Sequence, residues 1–164
     1  MLFRSRLKKT KRNYIRALIM LILIGLMIFS GIKIIKWVIF NNKTEKNLKK
    51  VSSAVTVDET TGEYSVDFTE LKTVNDDVVG WLKVGGLTIS FPVVRTTNNS
   101  FYLDHSIDKS YNTAGWIFMD YKNKLDGTDR NIVIYGHNRR NGSMFGKLKN
   151  ILKKEWYEDR KSVV

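Results

Sequence analysis

The chain has 164 residues, with 28 Lys+Arg, 16 Asp+Glu and no Cys. That length suits one domain of ordinary size with a short appendage, and without cysteine these residues can form no disulfide framework, no Cys-ligated zinc site and no thiol nucleophile. The formal net charge of +12 sits entirely in residues 1–50, where 13 basic residues accompany one acid, whereas residues 51–164 carry 15 of each; the downstream part is therefore not a basic nucleic-acid binder.

Arg4, Arg6, Lys8, Lys9, Lys11, Arg12 and Arg16 precede the first acid, and residues 1–16 read as a basic cytoplasmic segment. An uncharged run from Ala17 to Ile32 follows, extended by Ile34–Phe40, with Lys33 and Lys36 placed to snorkel beside Trp37. Residues 17–40 are predicted to form one transmembrane helix, an uncleaved signal anchor. A cleaved signal peptide is the alternative, although Ser30-Gly-Ile-Lys-Ile34 makes a poor cleavage site. The positive-inside bias then leaves the N-terminus in the cytoplasm and residues from about 41 outside the cell membrane.

Residues 41–66 read as stalk and linker. The Lys-rich stretch from Asn41 to Val55 has Leu48, Val51 and Val55 at helical spacing, and Thr56–Tyr64 is polar. A domain is expected over 67–164. It opens on Asp67-Phe-Thr-Glu70, a capping-box pattern before a short helix with Phe68, Leu71 and Val74 on one face. Period-two patterning follows in Trp81–Val84 and Leu87–Val94, joined by Gly85-Gly86 as a two-residue hairpin turn. Pro92, the single proline, points to an edge position or a bulge. Trp116–Tyr121 and Asn131–Tyr135 are two further strands across a polar loop. Asn141-Gly142 makes a turn, after which Met144, Phe145, Leu148, Ile151, Leu152 and Trp156 line one side of a helix. The exported part reads as mainly β with peripheral helices.

Generic signatures are absent. Gly142-Ser-Met-Phe-Gly146 has its serine in the wrong place for a nucleophile elbow. Gly142–Lys147 is one residue short of a Walker A loop, and Asp120, Asp126 and Asp129 lack EF-hand spacing. His105 and His137 lie far apart without clustered carboxylates, so no metal is expected. His137 follows an apolar strand through Gly136 and precedes a polar loop, a position suited to acid–base work. A surface histidine at a turn fits the same residues, and from chemistry alone it is the simpler reading.

Larger blocks add to this. Leu82-Lys-Val-Gly-Gly-Leu-Thr-Ile89 followed by Phe91-Pro-Val-Val94 resembles the opening strands of sortases. Asn98-Asn-Ser-Phe-Tyr-Leu-Asp-His105 and Ala114-Gly-Trp-Ile-Phe-Met-Asp-Tyr121 resemble the class B subgroup, and Asn131-Ile-Val-Ile-Tyr-Gly-His-Asn138 is the most specific stretch. The resemblance covers about Asp67 to Tyr157. It implies the N-terminal half of a sortase-type β-barrel with peripheral helices, preceded by one transmembrane helix. The implied activity is that of a membrane-anchored cysteine transpeptidase of Gram-positive bacteria. Such an enzyme forms an acyl-thioester with a sorting-signal peptide of a surface protein and passes it to a peptidoglycan amine, with no cofactor.

By resemblance His137 stands at the catalytic histidine, and Asn99 and Leu103 match positions that line the sorting-signal groove. Core packing for Leu103 and a solvated turn for Asn99 are the competing readings. Asp104 and His105 carry no implied role and read as solvated helix surface. The family's nucleophilic Cys and later Arg belong to a downstream region not among these residues, so the chain reads as C-terminally truncated and, as it stands, inactive. An inactive remnant, or a non-enzymatic membrane-anchored peptide-binding protein, is the alternative. The implied partners are the sorting peptide, the cell-wall amine and membrane lipid, with no nucleic acid.

Overall fold

The computed structural model describes residues 3–57 and 64–156. The chain divides into two compact units, residues 1–39 and 40–164. Helix α1 runs Phe3–Ser52 and so contributes to both.

In the first unit the apolar stretch of α1 has no buried face: Leu18, Phe29 and Ile35 are all more than half exposed. A helix that is apolar all round suits a hydrocarbon environment. This one is long and apolar enough to cross a membrane, a property that signal sequences share.

In the second unit the last turns of α1 are sorted into faces. Thr44 and Val51 are buried and Leu48 packs against the core, whereas Glu45, Lys46, Lys49 and Lys50 are exposed. Thr44 is held by polar bonds: its hydroxyl donates to the Phe40 carbonyl at 2.9 Å and accepts from Asn112 Nδ2 at 2.9 Å. Asn112 is itself fully buried, so both groups need these partners.

The linker expected over Thr56–Tyr64 lies partly outside the described residues (58–63). Its described ends are strands: β1 (Val55–Val57) pairs antiparallel with β2 (Tyr64–Val66). Asp67 then caps α2 (Phe68–Val74), accepting from the N–H groups of Thr69 at 2.8 Å and Glu70 at 3.0 Å. Only half of the capping box forms, because the Glu70 carboxylate accepts from the Ser53 hydroxyl instead, at 2.9 Å. Leu71 of α2 is fully buried and Phe68 is exposed.

A mixed four-stranded sheet follows in the order β3 (Val78–Val84), β4 (Ile89–Val94), β5 (Phe118–Met119), β6 (Ile134–Tyr135). β3 and β4 are antiparallel with a register shift between Val78 and Gly80, β4 and β5 parallel, β5 and β6 antiparallel. No closed barrel forms among the described residues. The β3–β4 turn is longer than the expected Gly-Gly pair, since Val84 and Ile89 close the ladder and residues 85–88 form the connection. Gly86 supplies its positive φ of 73°.

Pro92 lies in a strand with neighbours on both sides, yet its own position is edge-like. β5 joins β4 only at Val94, and the Pro92 carbonyl accepts instead from the Trp116 indole N–H at 3.0 Å. In a strand, a residue's N and C=O point the same way, so the donor that proline lacks faces a side with no ladder to complete.

Of the strands expected over Trp116–Tyr121 and Asn131–Tyr135, the first is regular only at its centre and the second only at its last two residues. Asn123 explains the shortening of the second. Its amide donates to Asp129 Oδ2 at 2.7 Å and to the Asn131 carbonyl at 2.8 Å, and its Oδ1 accepts from Val133 N–H at 2.8 Å. Side-chain bonds thus take the place of ladder bonds.

The C-terminal helix is a 3-10 helix over Phe145–Leu152. With about three residues per turn, Phe145, Leu148 and Ile151 stack on one side, and Leu152 is rotated out to 84% exposure.

Candidate functional site

His137 is fixed by two glycines and one carbonyl. It follows β6 through Gly136, where an added Cβ would collide with Ile117 Cδ1 and Phe145 Cδ2. Its Nε2 lies 2.6 Å from the carbonyl oxygen of Leu103. A carbonyl only accepts, so Nε2 carries the proton and, in the neutral ring, Nδ1 is the basic nitrogen. Gly115 makes room for this contact. It has φ +59°, and a Cβ there would stand 2.6 Å from the Tyr102 carbonyl oxygen, 2.7 Å from that of Leu103 and 3.0 Å from His137 Cδ2. The segment 114–116 thus supports both donor and acceptor, with Trp116 N–H bonded to the Tyr102 carbonyl at 2.9 Å.

Beyond His137 the chain makes a closed loop. Phe145 N–H donates to the His137 carbonyl at 3.0 Å, and Asn138 bridges to Met144. Inside the loop, Gly142 N–H donates to the Arg139 carbonyl at 3.0 Å, and Asn141 Oδ1 accepts from the Ser143 hydroxyl at 2.8 Å. Met144 is buried at a positive φ of 52°, unusual for a residue with a side chain. Gly146 packs where a Cβ would strike the Arg139 carbonyl. The imidazole therefore emerges from a loop closed on itself, half-buried rather than freely solvated.

Leu103 lies at the end of a 3-10 turn, Phe101–Leu103, entered through an Asn98 side chain that accepts from the N–H groups of Ser100 and Phe101, both at 2.9 Å. Its side chain is 45% exposed, so core packing does not occupy it. Asn99 belongs to a second cluster. Its Nδ2 donates to Asp120 Oδ2 at 3.0 Å and its Oδ1 accepts from Tyr121 N–H at 3.0 Å. Asp120 Oδ2 also accepts from the Tyr135 hydroxyl at 2.9 Å, and Oδ1 from Lys122 N–H at 2.8 Å. The Lys122 N–H and the Tyr135 hydroxyl hold the Asp120 carboxyl below its usual range, with a smaller contribution from Asn99. The same carboxylate pushes the Tyr135 phenol up.

One short segment, 98–103, thus touches both groups: its end contacts His137 and its start braces Asp120. Leu103 and His137 are brought into direct contact, whereas Asn99 is tied to Asp120 and Tyr121. Sequence reasoning did not single out Gly115, Asp120 or Tyr135 as site residues. All three lie within the blocks Ala114–Tyr121 and Asn131–Asn138, and the Gly between Ala114 and Trp116 was the available signal.

His105 lies apart from the groups that touch His137. It is not solvated helix surface: its ring stacks on Phe101 at 4.1 Å, and Nδ1 lies 2.8 Å from the Phe101 carbonyl and 2.7 Å from Asp104 Oδ1. Among the described residues no three His, Cys, Asp or Glu side chains gather at one point.

No family model matches the chain. It is similar to sortase B of Listeria monocytogenes, 32% identical over 149 residues, which is 88% of this chain and 61% of that protein. Among solved structures it resembles sortase B of Bacillus anthracis in complex with AAEK1, with TM-score 0.64 and 29% identity over 74% of this chain and 59% of that one. It also resembles a Staphylococcus aureus sortase B–substrate complex, with TM-score 0.53 and 35% identity over 56% and 43%. The chain spans about three fifths of the length of the curated relatives it matches.

Proposed function

For a chain that is related to the class B sortases over most of its length, we propose that residues 67–164 are the histidine-bearing part of a transpeptidase site. The site attaches surface proteins to cell-wall peptidoglycan through a sorting-signal peptide. One observation carries this reading: the ring of His137 is locked by Nε2–H···O=C to Leu103, which leaves Nδ1 to exchange protons. These 164 residues contain no Cys, so the thiol that attacks the peptide carbonyl is supplied by residues other than these.

In the proposed reaction that thiolate adds to the scissile carbonyl. The C–N bond then breaks, with the leaving amine taking a proton from the His137 imidazolium, and an acyl-thioester remains. An incoming cell-wall amine adds to the thioester carbonyl and gives its proton to Nδ1. The C–S bond breaks, the thiolate is regenerated and a new amide is formed. Leu103, exposed beside the histidine, and Asn99, braced on Asp120, line the groove for the peptide. Residues 17–40 anchor the protein in the cell membrane with the domain outside, and 41–66 connect the two.

The test is to extend this chain in frame with the remaining two fifths of the Listeria monocytogenes relative. Transpeptidation of a labelled sorting peptide to an amine acceptor is expected, with His137→Ala lowering it by roughly 10²–10⁴-fold. A soluble, folded fusion that is inert, or one that is indifferent to His137→Ala, would reject the proposal. The missing cysteine favours a second reading, a membrane-anchored binder of sorting signals with no catalysis of its own. Saturable binding of the peptide by the unextended chain, together with an inert fusion, would select it.

A further inference from the structure

Asp120, which follows β5 directly, gathers three donors from three segments of the chain. Its Oδ2 accepts from Asn99 Nδ2 at 3.0 Å and from the Tyr135 hydroxyl at 2.9 Å, and Oδ1 accepts from Lys122 N–H at 2.8 Å. Its backbone is held as well: Asp120 N–H donates to the Val133 carbonyl at 2.9 Å, and the Asp120 carbonyl accepts from Asn123 N–H at 3.0 Å. The Tyr135 ring packs on Phe118 with centroids 5.2 Å apart, so the hydroxyl is itself aimed. The carboxylate is a fixed reference point on the surface of the sheet.

That point decides which way the Asn99 amide faces. The donors around Asp120 hold its carboxyl below the usual range, so at neutral pH it is ionised and only accepts. The atom of Asn99 turned toward it must therefore be Nδ2. Tyr121 N–H only donates, so the atom turned toward it, at 3.0 Å, must be Oδ1. A reversed amide would set N–H against N–H and oxygen against carboxylate. With both bonds made, Asn99 keeps one N–H and one oxygen lone pair, and no other partner takes them among the described residues. One donor and one acceptor on a fixed, half-buried amide complement a peptide unit, which offers one C=O and one N–H.

The geometry points to Asp120 as a positioning residue for peptide recognition: it fixes Asn99 so that the remaining N–H and lone pair meet a backbone amide of the sorting signal. Asp120 acts through Asn99 alone, and Tyr135 acts one step further out by aiming Asp120. This inference rests on the reading of Asn99 as a groove residue.

The chain extended in frame with the remaining part of its Listeria monocytogenes relative is tested for affinity to a labelled sorting peptide by fluorescence anisotropy, and for KM and kcat. Asn99→Ala and Asp120→Ala should each weaken binding about 10-fold and raise KM, with kcat changed less than about 2-fold. In the Asn99→Ala background, Asp120→Ala should cost nothing more, since the amide through which it acts is gone. The exchange of Asn99→Asp with Asp120→Asn re-forms their bond with its direction reversed, and the new carboxylate still accepts from Tyr121 N–H. It should melt close to the unsubstituted chain yet stay weak in binding, because a carboxylate has no N–H for the peptide. Asn99→Ala without effect, additive losses in the double variant, or binding regained by the exchange overturns the proposal and leaves the transpeptidase reading standing. An unsubstituted extended chain that neither binds nor transfers the peptide rejects that reading, and the proposal with it.

Discussion

The two halves of the four-stranded sheet are held by different chemistry. β3 and β4 share six paired positions, and β4 buries Ile89, Phe91, Val93 and Val94. β5 and β6 share two, and side-chain bonds from Asn99, Asp120 and Asn123 do the rest. The hairpin can rely on burial because its apolar residues have a core to enter. The second half still exposes Leu125, Ile132 and Val133 by more than a third each. All the candidate site residues lie on or against this second half. Polar bonds suit such a region because they specify orientation, which apolar contact does not.

The comparison can be broken or sharpened by substitution. Phe91→Ala should have the largest effect, costing about 4 kcal/mol and lowering denaturant resistance as a single transition. A loss confined to a local transition would show that the hairpin is not the common core. Gly115→Ala should cost about 3 kcal/mol, because the new Cβ meets two carbonyls at a left-handed φ. It should also shift the His137 Nε2–H resonance in NMR, whereas Gly85→Ala, with open space around it, should leave that resonance in place.

Asn123→Ala should follow, at about 2 kcal/mol for a half-dozen-residue region that loses three bonds at a nearly buried group. Hydrogen exchange should quicken in residues 131–135 while β3 and β4 stay protected. The smallest effect belongs to Tyr135→Phe. Asp120 loses one of the donors that lower its pKa, so its titration midpoint should rise toward the ordinary carboxylate value. A depressed carboxylate stabilises the fold above its unfolded pKa and loses that contribution as pH falls through the folded value. The variant should therefore show a weaker acid-limb dependence of stability, read from melts between about pH 5 and pH 2. An unchanged midpoint would mean that Lys122 and Asn99 set it without the phenol.

The legible parts of the molecule were those with a short-range cause. The capping Asp67, the α2 face centred on Leu71 and the β3–β4 pairing all follow from neighbours within a few residues. The roles expected of His137, Asn99 and Leu103 came through resemblance, since nothing in the local chemistry of His137 separates it from a surface histidine, and its contact with Leu103 was not legible in the sequence. Three features escaped because their causes are tertiary. The need for glycine at 115 arises where the Tyr102 and Leu103 carbonyls and His137 converge. Asn123 looked like one more polar loop residue, because the ladder bonds it replaces belong to residues up to ten positions away. In the last helix, Leu152 fits an α-helical apolar stripe as well as Ile151 does, and only the tighter 3-10 winding turns it outward.

The loop that closes behind His137 also bears on how the protein ages. Asn141 followed by Gly142 is the dipeptide most prone to deamidation, in which the glycine's backbone nitrogen attacks the preceding side-chain amide. Here that nitrogen is already bonded to the Arg139 carbonyl, and the amide oxygen is held by Ser143. The folded loop should therefore convert to aspartate or isoaspartate far more slowly than the same sequence in a free peptide. Slow accumulation of deamidated Asn141 in stored protein would then report how often this loop opens.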